Sequence, residues 1–357
     1  MSKVFSEYRL EKHEPKNWSK IAAVFIALIS ALSVSALLIY SSGANVAGAL
    51  TALYRGSFGS KNAFLETLVQ ATPIIFTGLA MTIVFRGRVW NIGAEGQFFA
   101  GALATAWISM NLAHLPPILI IVLILLASMA AGGLWGFIPG YLKAKLGISE
   151  IIVTIMMNYI MQYILSYLLG GPLQADGDFF LQTPRFESST YLPRFFNSRI
   201  HLGFLIALLL VGIINILLWK TSLGYEIRAV GDNPTAARYK GINIQKTIIL
   251  VMVMSGAIAG LAGGTELAGL HHRLRMDIST GYGYTGIMIA LLGRLNPIGV
   301  VPAAIFYGAL VNGSTAMQIN YNVPVALIYS IQGIMIVFLL MADALTKYRI
   351  RRIRDVQ

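Results

Sequence analysis

Residues 21–41 read IAAVFIALISALSVSALLIYS, an apolar stretch that contains no charged side chain. A helix of about 20 apolar residues crosses the roughly 30 Å hydrocarbon core of a bilayer, so this stretch predicts a membrane-spanning helix. It is longer than the apolar part of a signal peptide and has no small-residue cleavage site. We therefore expect it to remain in the mature protein.

The rest of the chain has the same character. Of its 357 residues, 56% are hydrophobic and only 12% are charged, and the mean hydropathy is +0.70; a soluble domain carries about 25% charged residues. Nine further segments are apolar over much of a helix length: 63–85, 93–112, 117–142, 148–169, 202–219, 247–269, 283–293, 298–316 and 323–343. Some are short or carry polar residues, which is typical of helices that line a cavity. We predict an all-α, polytopic membrane protein with about ten transmembrane or partly re-entrant helices.

Basic residues are concentrated at the chain ends and in alternate loops. The net charge is +12, and Lys and Arg beside apolar segments mark the cytoplasmic face and favour contact with the lipid bilayer. We predict cytoplasmic basic segments at 1–20 and 344–357 around a transmembrane domain at 21–343. The loop 220–246 is expected in the cytoplasm and the loop 171–200 outside, in a bacterial plasma membrane. Because the basic residues flank apolar runs, no nucleic acid partner is expected.

The sequence carries no recognisable catalytic constellation. It has no Cys, which excludes disulfides, thiolate nucleophiles and Cys-ligated metals. The Gly-Lys pair of a phosphate-binding P-loop is absent, and His271 and His272 are adjacent, so their side chains diverge. We expect no enzyme activity, cofactor or metal site. Solute movement must then be driven by a bound ATPase, or by an ion gradient acting on intramembrane carboxylates.

A short, well-capped helix is predicted inside the loop 220–246. Asp232 or Asn233 can cap its start, Pro234 suits its first turn and Gly241 can end it. A helix this short is barely stable alone, so we favour docking on a partner over a solvated connector. The residues assigned to this docking segment are Gly231, Asp232, Asn233, Pro234, Ala236, Ala237, Tyr239 and Gly241.

Four stretches resemble one family of transport proteins. They are VWNIGAEGQ at 89–97, GISEIIVTIMMNY at 147–159, AVGDNPTAARYKGI at 229–242, and 286–302 around LLGRLNP. The series is similar to bacterial ABC importer permeases related to ribose and branched-chain amino acid permeases. It most resembles the nucleoside subgroup, which works with a lipoprotein of the basic-membrane-protein type.

The resemblance implies an assembly. The segment 231–241 would be a coupling helix seated on an ABC ATP-binding subunit. A second permease subunit, expected to be a related hetero-partner, would complete the transmembrane part, and an extracytoplasmic substrate-binding lipoprotein would deliver a nucleoside to the 171–200 loop. One alternative is import of ribose or another monosaccharide. Another is an ion-coupled secondary transporter in which Glu66 or Glu266 carries protons.

Polar and aromatic residues within the predicted spans are candidates for the substrate pathway. A carboxylate in a bilayer usually faces a cavity or a partner, and a nucleoside is recognised by amide hydrogen bonds and aromatic stacking. The alternatives are internal pairing, such as Glu95 with Arg86 or Arg88, and plain helix packing for the aromatic rings. The candidates are Glu66, Trp90, Asn91, Glu95, Gln97, Phe98, Phe99, Glu150, Asn158, Glu266 and Asn312.

Overall fold

A computed structural model describes residues 8–12 and 17–352 of the chain. The helices within these ranges are α1 (Asn17–Ser41), α2 (Val46–Phe58), α3 (Lys61–Arg86), α4 (Ala94–Asn111), α5 (Pro117–Leu146), α6 (Glu150–Leu169), α7 (Leu202–Lys220), α8 (Ser222–Asp232), α9 (Pro234–Tyr239), α10 (Ile244–Glu266), α11 (Tyr282–Leu292), α12 (Pro297–Tyr321) and α13 (Val325–Lys347). A π-helical turn at Leu267–His271 extends α10. Two short strands, β1 (Tyr8–Lys12) and β2 (Tyr348–Arg352), complete the elements.

The predicted all-α membrane fold is confirmed. Each of the ten predicted segments coincides with a helix, and eight described helices are long and apolar enough to cross a bilayer. Helix α2, which is not among the ten predicted segments, has 13 residues and carries Arg55 in its last turn. At 1.5 Å per residue such a helix is about 20 Å long, shorter than the roughly 30 Å that a helix of about 20 apolar residues spans.

The larger of two compact units, residues 57–309, is built on glycine contacts between helices. A Cβ atom at Gly132 of α5 would overlap the carbonyl oxygen of Gly256 in α10, and one at Gly260 would overlap that of Ser128. In α4, a Cβ atom at Gly101 would overlap the backbone of Gly260. These glycines thus let three helix backbones approach closely, as small residues do in membrane proteins.

Two irregular segments interrupt this unit. Residues 87–93 separate α3 from α4, and residues 272–281 separate the π-helical turn from α11. Arg88 and His272 have left-handed backbone angles, with φ of 51° and 57°. Such non-helical backbone inside a membrane protein survives only where protein or water satisfies its polar groups.

The smaller unit comprises the chain up to residue 56 and from residue 310 onward. Within it α1 packs against α13, and β1 pairs with β2 in antiparallel register, with Leu10 opposite Ile350. Asn312 of α12 donates a hydrogen bond to the carbonyl oxygen of Gly56 at 2.9 Å. The pairing of β1 with β2 puts the two ends of the described chain side by side.

Candidate functional site

The segment that precedes α4 rises along α6 into the protein. The backbone N–H of Trp90 donates to Oε1 of Glu150 at 3.3 Å, and that of Gly96 donates to Oδ1 of Asn158 at 2.8 Å. Glu150 is the first residue of α6 and Asn158 lies eight residues further on, a rise of about 12 Å. The segment therefore enters the protein from the first turn of α6.

Three buried polar side chains fix the shape of this segment. Asn91 donates to Oε1 of Gln97 and to Oγ of Ser255, each at 2.9 Å. Its Oδ1 accepts from the backbone N–H of Gly93 at 3.0 Å. All three side chains are at most 1% exposed, and Ser255 lies midway along α10. Because buried polar groups are costly unless they are hydrogen-bonded, this network holds one conformation.

Glu95 binds the first turn of α11. Its Oε2 accepts from the backbone N–H of Gly283 at 2.8 Å, and Ser279 also hydrogen-bonds to it. A Cβ atom at Gly283 would overlap the backbone of Glu95, so glycine is required there. The N-terminus of a helix carries free N–H groups and partial positive charge, which a carboxylate satisfies. The structure thus has this contact in place of the predicted alternative, a pair with Arg86 or Arg88.

The contact with α11 places Glu95 deep in the protein. The 11 residues of α11 span about 16 Å, and beyond its far end Nε of Arg86 donates to the carbonyl oxygen of Leu295 at 2.8 Å. Glu95 therefore lies about half of a 30 Å bilayer core away from the Arg86 level. The apolar segment 93–112 begins only two residues before Glu95, so the length rule for membrane spans alone would put Glu95 near a membrane boundary.

Arg86 is also the centre of a cluster at the ends of α3, α7 and α8. The guanidinium groups of Arg86 and Arg228 lie 4.9 and 4.7 Å from the ring centroid of Trp219. A Cβ atom at Gly231 would overlap the carbonyl oxygen of Arg86. Cation–π contacts and close backbone packing therefore join α8 to α3.

The predicted short capped helix is α9. The side chain of Asn233 accepts from the N–H of Ala236 at 3.1 Å, Pro234 is the first helical residue, and Gly241 has a φ of +81°. Asn233 is the cap because Asp232 ends the preceding helix, α8, which also contains Gly231. One face of α9 packs inward and the other lies open: Ala237 is 3% exposed, whereas Tyr239 is 89% exposed.

The remaining predicted carboxylates lie in separate places. Glu66 pairs with Arg199 at 3.2 Å and Glu150 pairs with Lys143. Glu266 is 1% exposed; its Oε1 lies 3.3 Å from Nε2 of His271, and its Oε2 has no hydrogen-bond partner in the described part of the chain.

The predicted aromatic residues divide between core and surface. Phe98 and Phe99 are buried in the hydrophobic core, where Phe98 packs on Tyr282 with ring centroids 5.8 Å apart. Trp90 is about half exposed and packs on Phe85. The structure therefore brings together Asn91, Glu95, Gln97 and Asn158, with Trp90 and Glu150 at the entrance of the segment, while Asn312 belongs to the smaller unit.

The loop 171–200 packs on the segment that leads from α10 to α11. Backbone N–H groups of Thr183 and Phe186 donate to the carbonyl oxygens of Leu274 and His272 at 3.0 and 2.9 Å. Burial and the neighbouring Arg194 lower the pKa of His272 to about 4, so its ring is neutral at pH 7 and accepts from Arg194 at 2.7 Å. A concavity of about 560 Å³ opens beside this contact, lined by Phe180, Leu181, Gln182, Arg273, Arg275, Met276 and Asp277.

One set of polar residues on α6 is not among the candidates predicted from the sequence. Beyond Asn158, α6 carries Tyr159, Gln162, Tyr163, Ser166 and Tyr167. Their spacing of i, i+3, i+4, i+7 and i+8 puts them on one side of a helix, a signal that is readable in the sequence. We refer to these five residues as the polar face of α6.

The matches with known proteins cover most of the chain. The family described as the permease component of branched-chain amino acid transport systems matches residues 63–340. This range contains all four stretches on which the predicted family resemblance rests, and that resemblance is confirmed.

Three relatives match over nearly their whole length. A guanosine ABC transporter permease protein of Bacillus subtilis is 38% identical, with 90% of this chain and 94% of that protein covered. A nucleoside ABC transporter permease protein of Lactococcus lactis is 32% identical, with 90% of each chain covered. A glucose ABC transporter permease protein of Haloferax volcanii is 33% identical, with 93% of this chain and 90% of that protein covered.

Proposed function

The chain belongs to the family of permease components of branched-chain amino acid transport systems, and from this premise we propose that it is the transmembrane permease subunit of an ABC importer for nucleosides. The observation that carries the importer assignment is α9. This helix is capped at both ends and leaves Tyr239 89% exposed. An exposed aromatic ring on a helix of six residues fits a surface that is completed by a partner.

The nucleoside assignment rests on the relatives. Two of the three are a guanosine permease and a nucleoside permease, and the guanosine permease is 38% identical. The glucose permease of Haloferax volcanii, at 33% identity over 93% of this chain, favours a monosaccharide as the second candidate. A nucleoside contains a sugar, so the two substrates share hydroxyl groups and differ in the base.

The partners follow from the same proposal. An ABC ATP-binding subunit docks at α9 from the cytoplasm, and this orientation puts both termini of the chain on the cytoplasmic side. A second permease subunit completes the path, and a substrate-binding lipoprotein docks outside, at the loop 171–200. This chain supplies no catalytic step; ATP hydrolysis takes place on the partner.

For the coupling of ATP hydrolysis to transport, we propose that α8 carries movement of α9 to Arg86 and that α11 carries it on to Glu95. Support comes from the close approach of Gly231 to Arg86, the hydrogen bond from Arg86 to Leu295, and the hydrogen bond from Gly283 to Glu95. Packed rigid elements with contacts at both ends transmit displacement between distant sites. The segment 87–97 then changes position when the ATPase moves.

Uptake in cells tests the proposal. We expect that deleting the gene abolishes uptake of radiolabelled guanosine and that the intact gene restores it, in an ATP-dependent manner. Parallel assays with glucose and ribose serve as the substrate control. Loss of sugar uptake alone would transfer the assignment to a monosaccharide importer. Uptake that persists after ATP depletion but collapses with the ion gradient would favour secondary transport.

A further inference from the structure

The polar face of α6 is uncovered in the structure. Tyr159, Tyr163 and Tyr167 are 52%, 75% and 75% exposed, and Gln162 and Ser166 are partly exposed. Within the residues that the structure describes, none of these five side chains makes a hydrogen bond to another side chain or to the backbone. An adjoining side of α6, which includes Asn158, Met161 and Leu165, is buried against the protein.

This face lies at membrane depth. Tyr159 is nine residues and Tyr167 seventeen residues from the start of α6, which corresponds to about 14 Å and about 26 Å along the helix. A Tyr side chain is favourable at the membrane–water interface, where its hydroxyl group reaches water. A Gln amide in the hydrocarbon core has no hydrogen-bond partner. Five polar residues on one side of a spanning helix therefore indicate contact with water or a polar solute.

The neighbouring exposed surfaces are apolar. On the adjacent sector of α6 the exposed residues are Ile160 and Ile164. The exposed residues of α5 and α7 within their spans are almost entirely apolar, among them Leu126, Leu134, Leu205, Leu209 and Ile213. These surfaces suit lipid tails, so the polar side chains are confined to one sector of α6 and are not scattered over the exposed surface.

A second helix extends the same surface. The amide of Asn158 donates to the hydroxyl oxygen of Tyr284 at 3.1 Å, and Tyr284, on α11, is 41% exposed. Toward the start of α6 the exposed side chains become apolar, with Ile152 and Met156. The polar surface therefore begins at mid-depth and continues toward the end of α6 that leads into the loop 171–200.

We propose that the polar face of α6, together with Tyr284, lines the water-filled path and holds the nucleoside during transport. The tyrosine rings stack on the base, and Gln162, Ser166 and the tyrosine hydroxyls bond the ribose hydroxyls and the polar edge of the base. Asn158, fully hydrogen-bonded on the buried side, positions Tyr284 for this contact. The inference rests on the proposed nucleoside function, but the accessibility of the face can be tested without knowing the substrate.

The first test uses single cysteines in this Cys-free chain, within the assembled transporter in membranes. Tyr163→Cys is expected to react with a hydrophilic thiol reagent, read on this subunit, and Ile160→Cys, three residues away on the apolar sector, is expected to stay unreacted. Guanosine in excess should slow the Tyr163→Cys reaction. If neither cysteine reacts, the face is packed against another subunit and the proposal is overturned; equal reaction of both also overturns it.

The second test measures uptake by full transporters that carry Tyr163→Leu. Loss of one stacking ring should lower guanosine uptake about tenfold through a higher KM, with normal amounts of assembled complex. The matched control is Tyr141→Leu on α5, a tyrosine 43% exposed on an apolar surface, which should transport normally. Normal guanosine uptake by Tyr163→Leu would contradict nucleoside binding at the polar face of α6 but would leave the proposed importer function intact. A wild-type protein that takes up no nucleoside but still shows the cysteine pattern sinks the nucleoside function alone.

Discussion

Two amide side chains one turn apart on α6 have opposite surroundings. Asn158 is 1% exposed and makes three hydrogen bonds: its Oδ1 accepts from Gly96, and its Nδ2 donates to the carbonyl oxygen of Ile92 and to Tyr284. Gln162 lies about 40° further round the helix, at the edge of the exposed surface, and is partly exposed. The pair separates a residue that holds the structure together from one that faces the proposed path.

We expect Asn158→Leu to lower the free energy of unfolding by about 2–4 kcal/mol, because it leaves the buried N–H of Gly96 and the partly buried carbonyl of Ile92 without their partner. Gln162→Leu should change it by less than about 0.5 kcal/mol, since no described hydrogen bond is lost. Thermal unfolding of the detergent-purified complex measures both. Equal melting temperatures for Asn158→Leu and the wild type would contradict the role given to Asn158.

At the scale of single residues, the sequence predicted which polar side chains lie together in the protein, but it did not predict their hydrogen-bond partners. Asn91, Glu95, Gln97 and Asn158 were selected because polar groups at depth need partners, and the structure brings them together. Their partners are backbone groups of Gly96 and Gly283 and the side chain of Ser255, which are distant in the chain. Only the folded contacts reveal such pairings, so the pathway role of these four residues remains a prediction.

At the scale of an element, the sequence predicted where the short helix α9 begins and ends but not which of its side chains are exposed. Its cap and its end were readable, because Asn, Pro and Gly have strong positional preferences. The direction of its side chains could not be predicted from the sequence. Ala237, which would be the natural site for a disruptive charge, is 3% exposed, so Ala237→Asp would damage the permease itself and could not isolate docking.

Tyr239 is the better probe of docking, because at 89% exposed it makes little contact with its own chain. We expect Tyr239→Asp to weaken association with the ATP-binding subunit about 30-fold or more, as loss of an aromatic hot spot does. Copurification and the ATP-dependent uptake rate report the effect, and the amount of inserted permease should stay normal. The control is Gln245→Asp, at an exposed position in the first turn of α10. A Tyr239→Asp protein that keeps its ATPase would show that α9 is a solvated connector.

At the scale of the whole molecule, hydropathy predicted all ten apolar segments, including the one that forms α11, but it missed α2 and does not give the position of α11 in the fold. Helix α2 is shorter than the roughly 20 apolar residues that cross a bilayer, and it carries a charged residue. Helix α11 has 11 residues, and its first turn is hydrogen-bonded to Glu95. Its position depends on a tertiary contact that no local window of sequence contains. The family match over residues 63–340 nevertheless lies within the predicted transmembrane domain at 21–343.

Transport by a purified assembly in vesicles tests the proposed importer function most directly. The permease, its ATP-binding subunit and the second permease are reconstituted with ATP trapped inside, and the binding lipoprotein and radiolabelled guanosine are added outside. We expect guanosine accumulation that requires ATP inside and binding protein outside, because α9 then faces the lumen and the loop 171–200 faces the medium. Accumulation without ATP, or with the binding protein only on the ATP side, would contradict the proposed importer function.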